Sequence, residues 1–151
     1  MRFILCLLVL LVSSLELSAA SVEESVDYKN KITATSDCKW SKSKVWVQKG
    51  DKFLVKQLAG GWTVDKKNYE NVGLAGHLDE LETGLRNHFS LKFHSDARFG
   101  QLLLSIGDDG ETIPVEPGLI TANRRGYIYL RINDTTPADN DGDLLVTIIK
   151  R

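Results

Sequence analysis

The chain opens on an apolar run, residues 4–12, behind a Met1-Arg2 start, and the small residues Ser18, Ala19 and Ala20 follow it. A positive start, a short apolar stretch and small residues at a cleavage position form the pattern of a signal peptide over residues 1–20. The run is less than half the ~20 residues that a membrane-spanning helix needs, and no later run reaches that length. The expectation is a secreted chain that begins at Ser21. Residues 21–37 (SVEESVDYKNKITATSD) are polar and lack a clean period, so they read as a flexible N-terminal arm.

From Trp40 the pattern has a period of two. Val45 and Val47 alternate around Trp46, the pair Gly50-Asp51 marks a turn, and a second strand over 52–58 is ended by Gly60-Gly61. Leucines at spacings of three and four in 77–85 predict a short helix, whose acidic residues read as solvated. Phe89, Leu91 and Phe93 then alternate with Ser90, Lys92 and His94, the mark of a half-buried strand. Further strands are predicted over 101–106, 112–115, 119–122, 127–132 and 144–149, the last two as a pair around a short acidic loop. Eight short strands with turn signals between them indicate an all-β fold, an antiparallel β-sandwich of jelly-roll type.

Composition narrows the function classes. With 151 residues, 19 Lys+Arg against 20 Asp+Glu and 42% hydrophobic residues, the chain supports one core. A net charge of -1 gives no general attraction to nucleic acid, and Arg124-Arg125 is too small a patch to reverse that. Cys6 falls in the leader, so the mature chain keeps Cys38 alone and cannot close an internal disulfide; the residue reads as a buried or free thiol. No G-x-S-x-G, H-E-x-x-H or Cys-x-x-Cys motif occurs, and His77, His88 and His94 lack zinc-site spacing, so the chain does not read as an enzyme. Of Trp40, Trp46 and Trp62, at least two are expected in the core.

The strongest chemical signal lies between Ile132 and Ile149, a span without Lys or Arg that contains Asn133, Asp134, Thr135, Thr136, Asp139, Asn140, Asp141 and Asp143. Crowded carboxylates repel unless water or a cation offsets them, and calcium takes 6–8 oxygen ligands of these types. The segment is not an EF-hand, because Pro137 stands where an acid is required and the closing Glu is missing. The competing reading is a solvated hairpin turn built on Asn-Asp-Gly chemistry. Asn133-Asp134-Thr135 also fits an N-glycosylation sequon, and a glycan there would crowd a metal site.

The segments Leu103-Leu104-Ser105-Ile106-Gly107, Thr112-Ile113-Pro114-Val115, Gly118-Leu119, 126–134, Asp139-Asn140-Asp141-Gly142 and Val146-Thr147-Ile148 share order and spacing with one family. Upstream, Gly50-Asp51 and Gly60-Gly61-Trp62 fall where that family keeps a turn and a Gly-Trp loop. The chain resembles the PA-IL-type lectins, small calcium-dependent galactose-binding sandwiches, over 40–149 and most densely in the last third. The resemblance implies a PA-IL-like domain over 38–151 with a calcium ion held by Asp134, Thr136, Asp139 and Asn140, Thr135 being the alternative to Thr136. It further implies that a galactose-type sugar or glycoconjugate meets Asp134, Thr136 and Asp139, with His88 as a further contact. The family's sugar-contacting Tyr has no match before Tyr69, and its sugar-binding Gln has none. Its members form oligomers, which leaves a homo-oligomer open. The alternative function is a secreted sandwich module that binds a protein, with a structural calcium site or none. The 63–87 segment discriminates, since a sugar site needs it as a wall.

Overall fold

The computed structural model describes residues 30–151; the expected leader and the first part of the expected arm lie outside the described residues. Eight strands form two four-stranded antiparallel sheets: β1 (Lys31–Thr35), β2 (Ser41–Val47), β3 (Lys52–Thr63), β4 (Leu102–Ile106), β5 (Thr112–Pro114), β6 (Ile120–Thr121), β7 (Gly126–Ile132) and β8 (Asp141–Lys150). One sheet has the order β1-β8-β3-β6 and the other β2-β7-β4-β5. The all-β, antiparallel sandwich expected from the strand pattern is the observed fold.

The period of two places the core. Leu102, Leu104 and Ile106 of β4 alternate inward with Ile128, Leu130 and Ile132 of β7, and they face Leu144, Val146 and Ile148 of β8. Phe53 and Val55 of β3 and Val45 and Val47 of β2 complete the layer between the sheets. Each such side chain contributes about 1.5–3 kcal/mol on burial.

Five expectations are corrected. Residues 31–35 do not belong to a flexible arm: they form β1, which pairs with β8 and turns Ala34 into the core. The strand expected to stop at Gly60-Gly61 continues to Thr63. There the chain breaks register after Gln57, and a Cβ at Gly60 would collide with the Asp143 carbonyl oxygen, so glycine allows β3 and β8 to stay in contact. Residues 77–85 form turns rather than the expected helix, and the strand expected over 89–93 is absent. In their place is a 3-10 segment, Gly84–Leu91, kinked at His88. Phe89, Leu91 and Phe93 all remain partly exposed because no neighbouring strand pairs with them. Finally, β7 and β8 are not a pair. They belong to opposite sheets, so the acidic segment 133–140 crosses between sheets at one end of the sandwich and is no hairpin turn.

Candidate functional site

Three chain segments converge at that end. The first is 133–140 itself. Its entry is fixed by Asn133, which is fully buried; its Oδ1 accepts the His94 N–H (2.8 Å), and its Nδ2 donates to the carbonyls of His94 (3.0 Å), Ala97 (3.1 Å) and Arg98 (2.9 Å). This grip clamps the second segment, 94–98, against the loop. The third, 64–69, leaves the end of β3 where Thr63 pairs with Asp141, and the Lys66 N–H donates to the Asp139 carbonyl (2.9 Å). Its far end is closed by paired hydrogen bonds between Trp62 and Val72 (3.0 and 2.8 Å), while the Trp62 Nε1–H donates to the Gly100 carbonyl (2.6 Å).

Between the first and third segments, the 3-10 segment and Phe99 lies a cleft of about 230 Å³ lined by Val64, Asp65, Asn68, Tyr69, Leu85, His88, Leu91, Phe99, Asp134, Thr136 and Asp139. Asp134, Thr136, Asp139 and His88, far apart in sequence, therefore share one cavity wall. Asn140 sits behind it: its Nδ2 donates to the Ser36 carbonyl (2.9 Å) and lies 3.3 Å from the Cys38 sulfur, and its side chain hydrogen-bonds Asp134. Thr136 points its N–H at Asp134 Oδ2 (3.1 Å), whereas the Thr135 hydroxyl turns away to the Leu91 carbonyl (2.7 Å). Tyr69, Asp65 and Asn68 are cleft residues that the sequence reading did not assign; the signal available for them was the length of the 63–87 segment, whose wall they form.

The electrostatics of the wall are unbalanced. Burial raises the Asp134 carboxyl above its usual range, its hydrogen bonds with Asn140, Thr135 and Thr136 oppose that shift, and the neighbouring Asp139 adds to it. Arg131 is close, yet its guanidinium donates to the Asp134 backbone carbonyl (2.8 Å), not to the carboxylate, and stacks 3.6 Å from the Phe93 ring centre. Asp139 Oδ1 and Asn140 Oδ1 are buried and, among the described residues, have no hydrogen-bond partner. Two orphaned oxygens beside a desolvated carboxylate are the donor chemistry that a hard cation satisfies, so the residues present fit calcium. Among the described residues no three His, Cys, Asp or Glu side chains are grouped as a metal site would require, so a cation here would rest on Asp134 and Asp139 together with neutral oxygens such as those of Thr136 and Asn140. Cys38 is half-buried, and its burial together with Asp134 pushes the thiol up to about 12, which disfavours the thiolate form. The buried Asn133 side chain is closed to a glycan in the folded chain, which removes the conflict between sequon and metal site.

No family model and no curated protein matches the sequence. Among solved structures, the EclA N-terminal domain, described as a PllA-like lectin, is similar to this chain with a TM-score of 0.56. The match covers 81% of this chain and 96% of that one at 16% identity. The two share a β-sandwich fold. At this identity the likeness establishes the fold and leaves the chemistry of the cleft to the cleft's own residues. No helix among the described residues is long and apolar enough to cross a membrane.

Proposed function

We propose that the chain is a secreted, non-enzymatic, calcium-dependent lectin module for galactose-type sugars. The observation that carries this reading is the pair of orphaned oxygens, Asp139 Oδ1 and Asn140 Oδ1, beside the desolvated Asp134 at a cleft of sugar size. Asp134, Thr136, Asp139 and Asn140 would hold the cation. A bound calcium ion supplies direct coordination to vicinal hydroxyls, which a neutral site cannot offer. The protein's own part is to shape the cavity: Asn133 and Trp62 fix its two sides, Tyr69 and Leu85 form an apolar wall, and His88 stands at the 3-10 kink on the same rim. That the 63–87 segment supplies a wall favours the sugar-binding reading over a protein-binding module with a structural cation, which needs no such wall.

Calorimetric titration of chelator-treated protein with calcium, then with galactose, tests both steps. The expected result is a calcium heat, followed by a galactose heat seen only with calcium present. Calcium at about 100 times its dissociation constant should add about 2.7 kcal/mol of stability, and Asp134→Ala should lose that gain. Calcium binding without a galactose heat would support the protein-binding module, and no calcium binding would refute the assignment of these four residues.

A further inference from the structure

Strands β2 and β7 lie side by side, and their outward positions carry a strip of aromatic and cationic side chains remote in character from the acidic cleft. In β2 these are Lys42, Lys44 and Trp46, all exposed, while Val45 and Val47 point into the core. In β7 they are the exposed Tyr127 and the half-buried Tyr129, alternating with the buried Ile128 and Leu130, and beyond them Arg131, which is itself buried. Lys42 is paired with Tyr129, and Trp46 with Tyr127. The Trp46 and Tyr127 rings meet edge to face at 4.9 Å and 84°, and the Lys42 ammonium lies 4.2 Å from the Tyr127 ring centre and 5.9 Å from that of Tyr129. From Tyr127 to Arg131 the strip runs about 14 Å at ~3.4 Å per residue. It ends at Phe93, which stacks on Arg131.

The outer face of a sandwich sheet is ordinarily polar, and a single exposed ring there carries no message. Here Trp46 is 44% exposed and Tyr127 37%, they touch, and lysines flank them. Neither strand contains an Asp or Glu. The two lysines of β2 thus have no carboxylate on either strand, whereas Arg131 at the far end is buried and lies near Asp134 and Asp37. Aromatic rings offer a surface for the C–H face of a sugar ring, and ammonium groups pair with carboxylate or sulfate. A neutral glycan would leave both lysines unused, and a protein interface core is depleted of charged residues, lysine among them. An exposed cation–π contact is weak, so Lys42 can exchange the Tyr127 ring for a ligand anion at little cost.

We infer that the outer β2–β7 face binds an extended anionic polysaccharide, one bearing uronic acid or sulfate groups. Trp46 and Tyr127 stack on its rings, and Lys42 and Lys44 hold its acid groups. This site is separate from the cleft and requires no cation.

The test is titration of the full chain with heparin, polygalacturonate and neutral dextran in the presence of EDTA, followed by tryptophan fluorescence. Trp62 is fully buried but Trp40 is only partly so, and the signal is assigned to the exposed Trp46 by its loss in Trp46→Ala. Both polyanions should give saturable changes that weaken as salt is raised, and dextran should give none. On immobilised heparin, Trp46→Ala and the double variant Lys42→Gln/Lys44→Gln should each bind at least ten-fold more weakly. The double variant should also show a flatter salt dependence. These are surface positions, so each variant should keep a thermal midpoint within a few degrees of wild type. The proposal is overturned if neither polyanion binds, if either variant binds heparin as wild type does, or if binding appears only when calcium replaces EDTA. Tighter binding of oligo-dT than of both polysaccharides would overturn it in favour of a nucleic-acid surface.

Discussion

Asn133→Ala should be among the most destabilising single substitutions in this domain. The side chain is fully buried and joins the acidic loop to the 94–98 segment through one accepted and three donated contacts between 2.8 and 3.1 Å. Alanine removes the acceptor for the His94 N–H and the donor for the three carbonyls. Its backbone can still donate to the Gln101 carbonyl and accept from the Gly100 N–H. Each buried group left unpaired costs about 1–3 kcal/mol. The His94 N–H and the buried Ala97 carbonyl lose the partner described here, whereas the carbonyls of His94 and Arg98 keep the Ala97 and Gln101 N–H donors (3.3 and 3.1 Å). A loss of about 3–5 kcal/mol follows, against a total stability of about 5–15 kcal/mol for such domains. At roughly 4 °C per kcal/mol for this size the midpoint should fall by about 12–20 °C.

Asn133→Asp, nearly isosteric, separates hydrogen bonding from volume. At neutral pH it places a carboxylate against three carbonyl oxygens, so its folded pKa must rise above the unfolded value near 3.9. The folded state then binds the proton more tightly than the unfolded one, and the variant gains stability relative to wild type as pH falls through the folded pKa. Differential scanning calorimetry in EDTA at pH 7.5 and 5.0, with amide hydrogen exchange at His94, reads both effects. A midpoint drop below about 4 °C for Asn133→Ala, or an Asn133→Asp deficit independent of pH, would refute this account. The same burial predicts that folded protein from a eukaryotic secretory host carries no glycan at Asn133, as intact mass would show.

Glu80 and Lys92 form a nearly buried ion pair at 2.6 Å, and Glu80 Oε2 also accepts the Phe99 N–H (2.6 Å). Lys92→Met strands the carboxylate and should cost about 3–5 kcal/mol in urea unfolding, while Glu80→Leu/Lys92→Met should cost less than the sum of the singles; additive losses would refute a coupled pair. His77 is buried, and desolvation lowers its pKa below the usual 6.5, with Asp79 and Glu80 opposing. The unfolded chain therefore takes up the proton first: the contribution of neutral His77 is complete above about pH 6.5 and is lost as pH falls through the folded pKa. His77→Gln should flatten the decline in unfolding free energy between pH 7 and 5; an unchanged slope would place the titration elsewhere.

How much of this was legible in the sequence depends on which physical constraint each segment obeys. Strands β4, β7 and β8 announce themselves because both neighbours and the opposite sheet demand inward residues at every second position, and Leu, Ile and Val stand there. Strand β1 did not, because as an edge strand it spends only Ile32 and Ala34 on the core, and KITAT is otherwise as polar as an arm. The reverse error arose at Phe89, Leu91 and Phe93, where alternation exists without a partner strand to use it; backbone pairing, not period, makes a strand. The eight strands expected and the eight observed thus agree in number while differing in one member.

The acidic loop shows the same division. Its oxygen-rich composition marked the whole 133–143 span, the resemblance to the PA-IL-type lectins picked out Asp134, Thr136 and Asp139 within it, and these three line one cleft. What composition cannot carry is where the loop runs. Because β7 and β8 lie in opposite sheets, the loop bridges them and faces the 64–69 segment, and that crossing brings in Tyr69, Asp65 and Asn68. More than the number of acids, it is topology that favours a cation, because it turns Asp139 Oδ1 and Asn140 Oδ1 inward without a protein partner among the described residues.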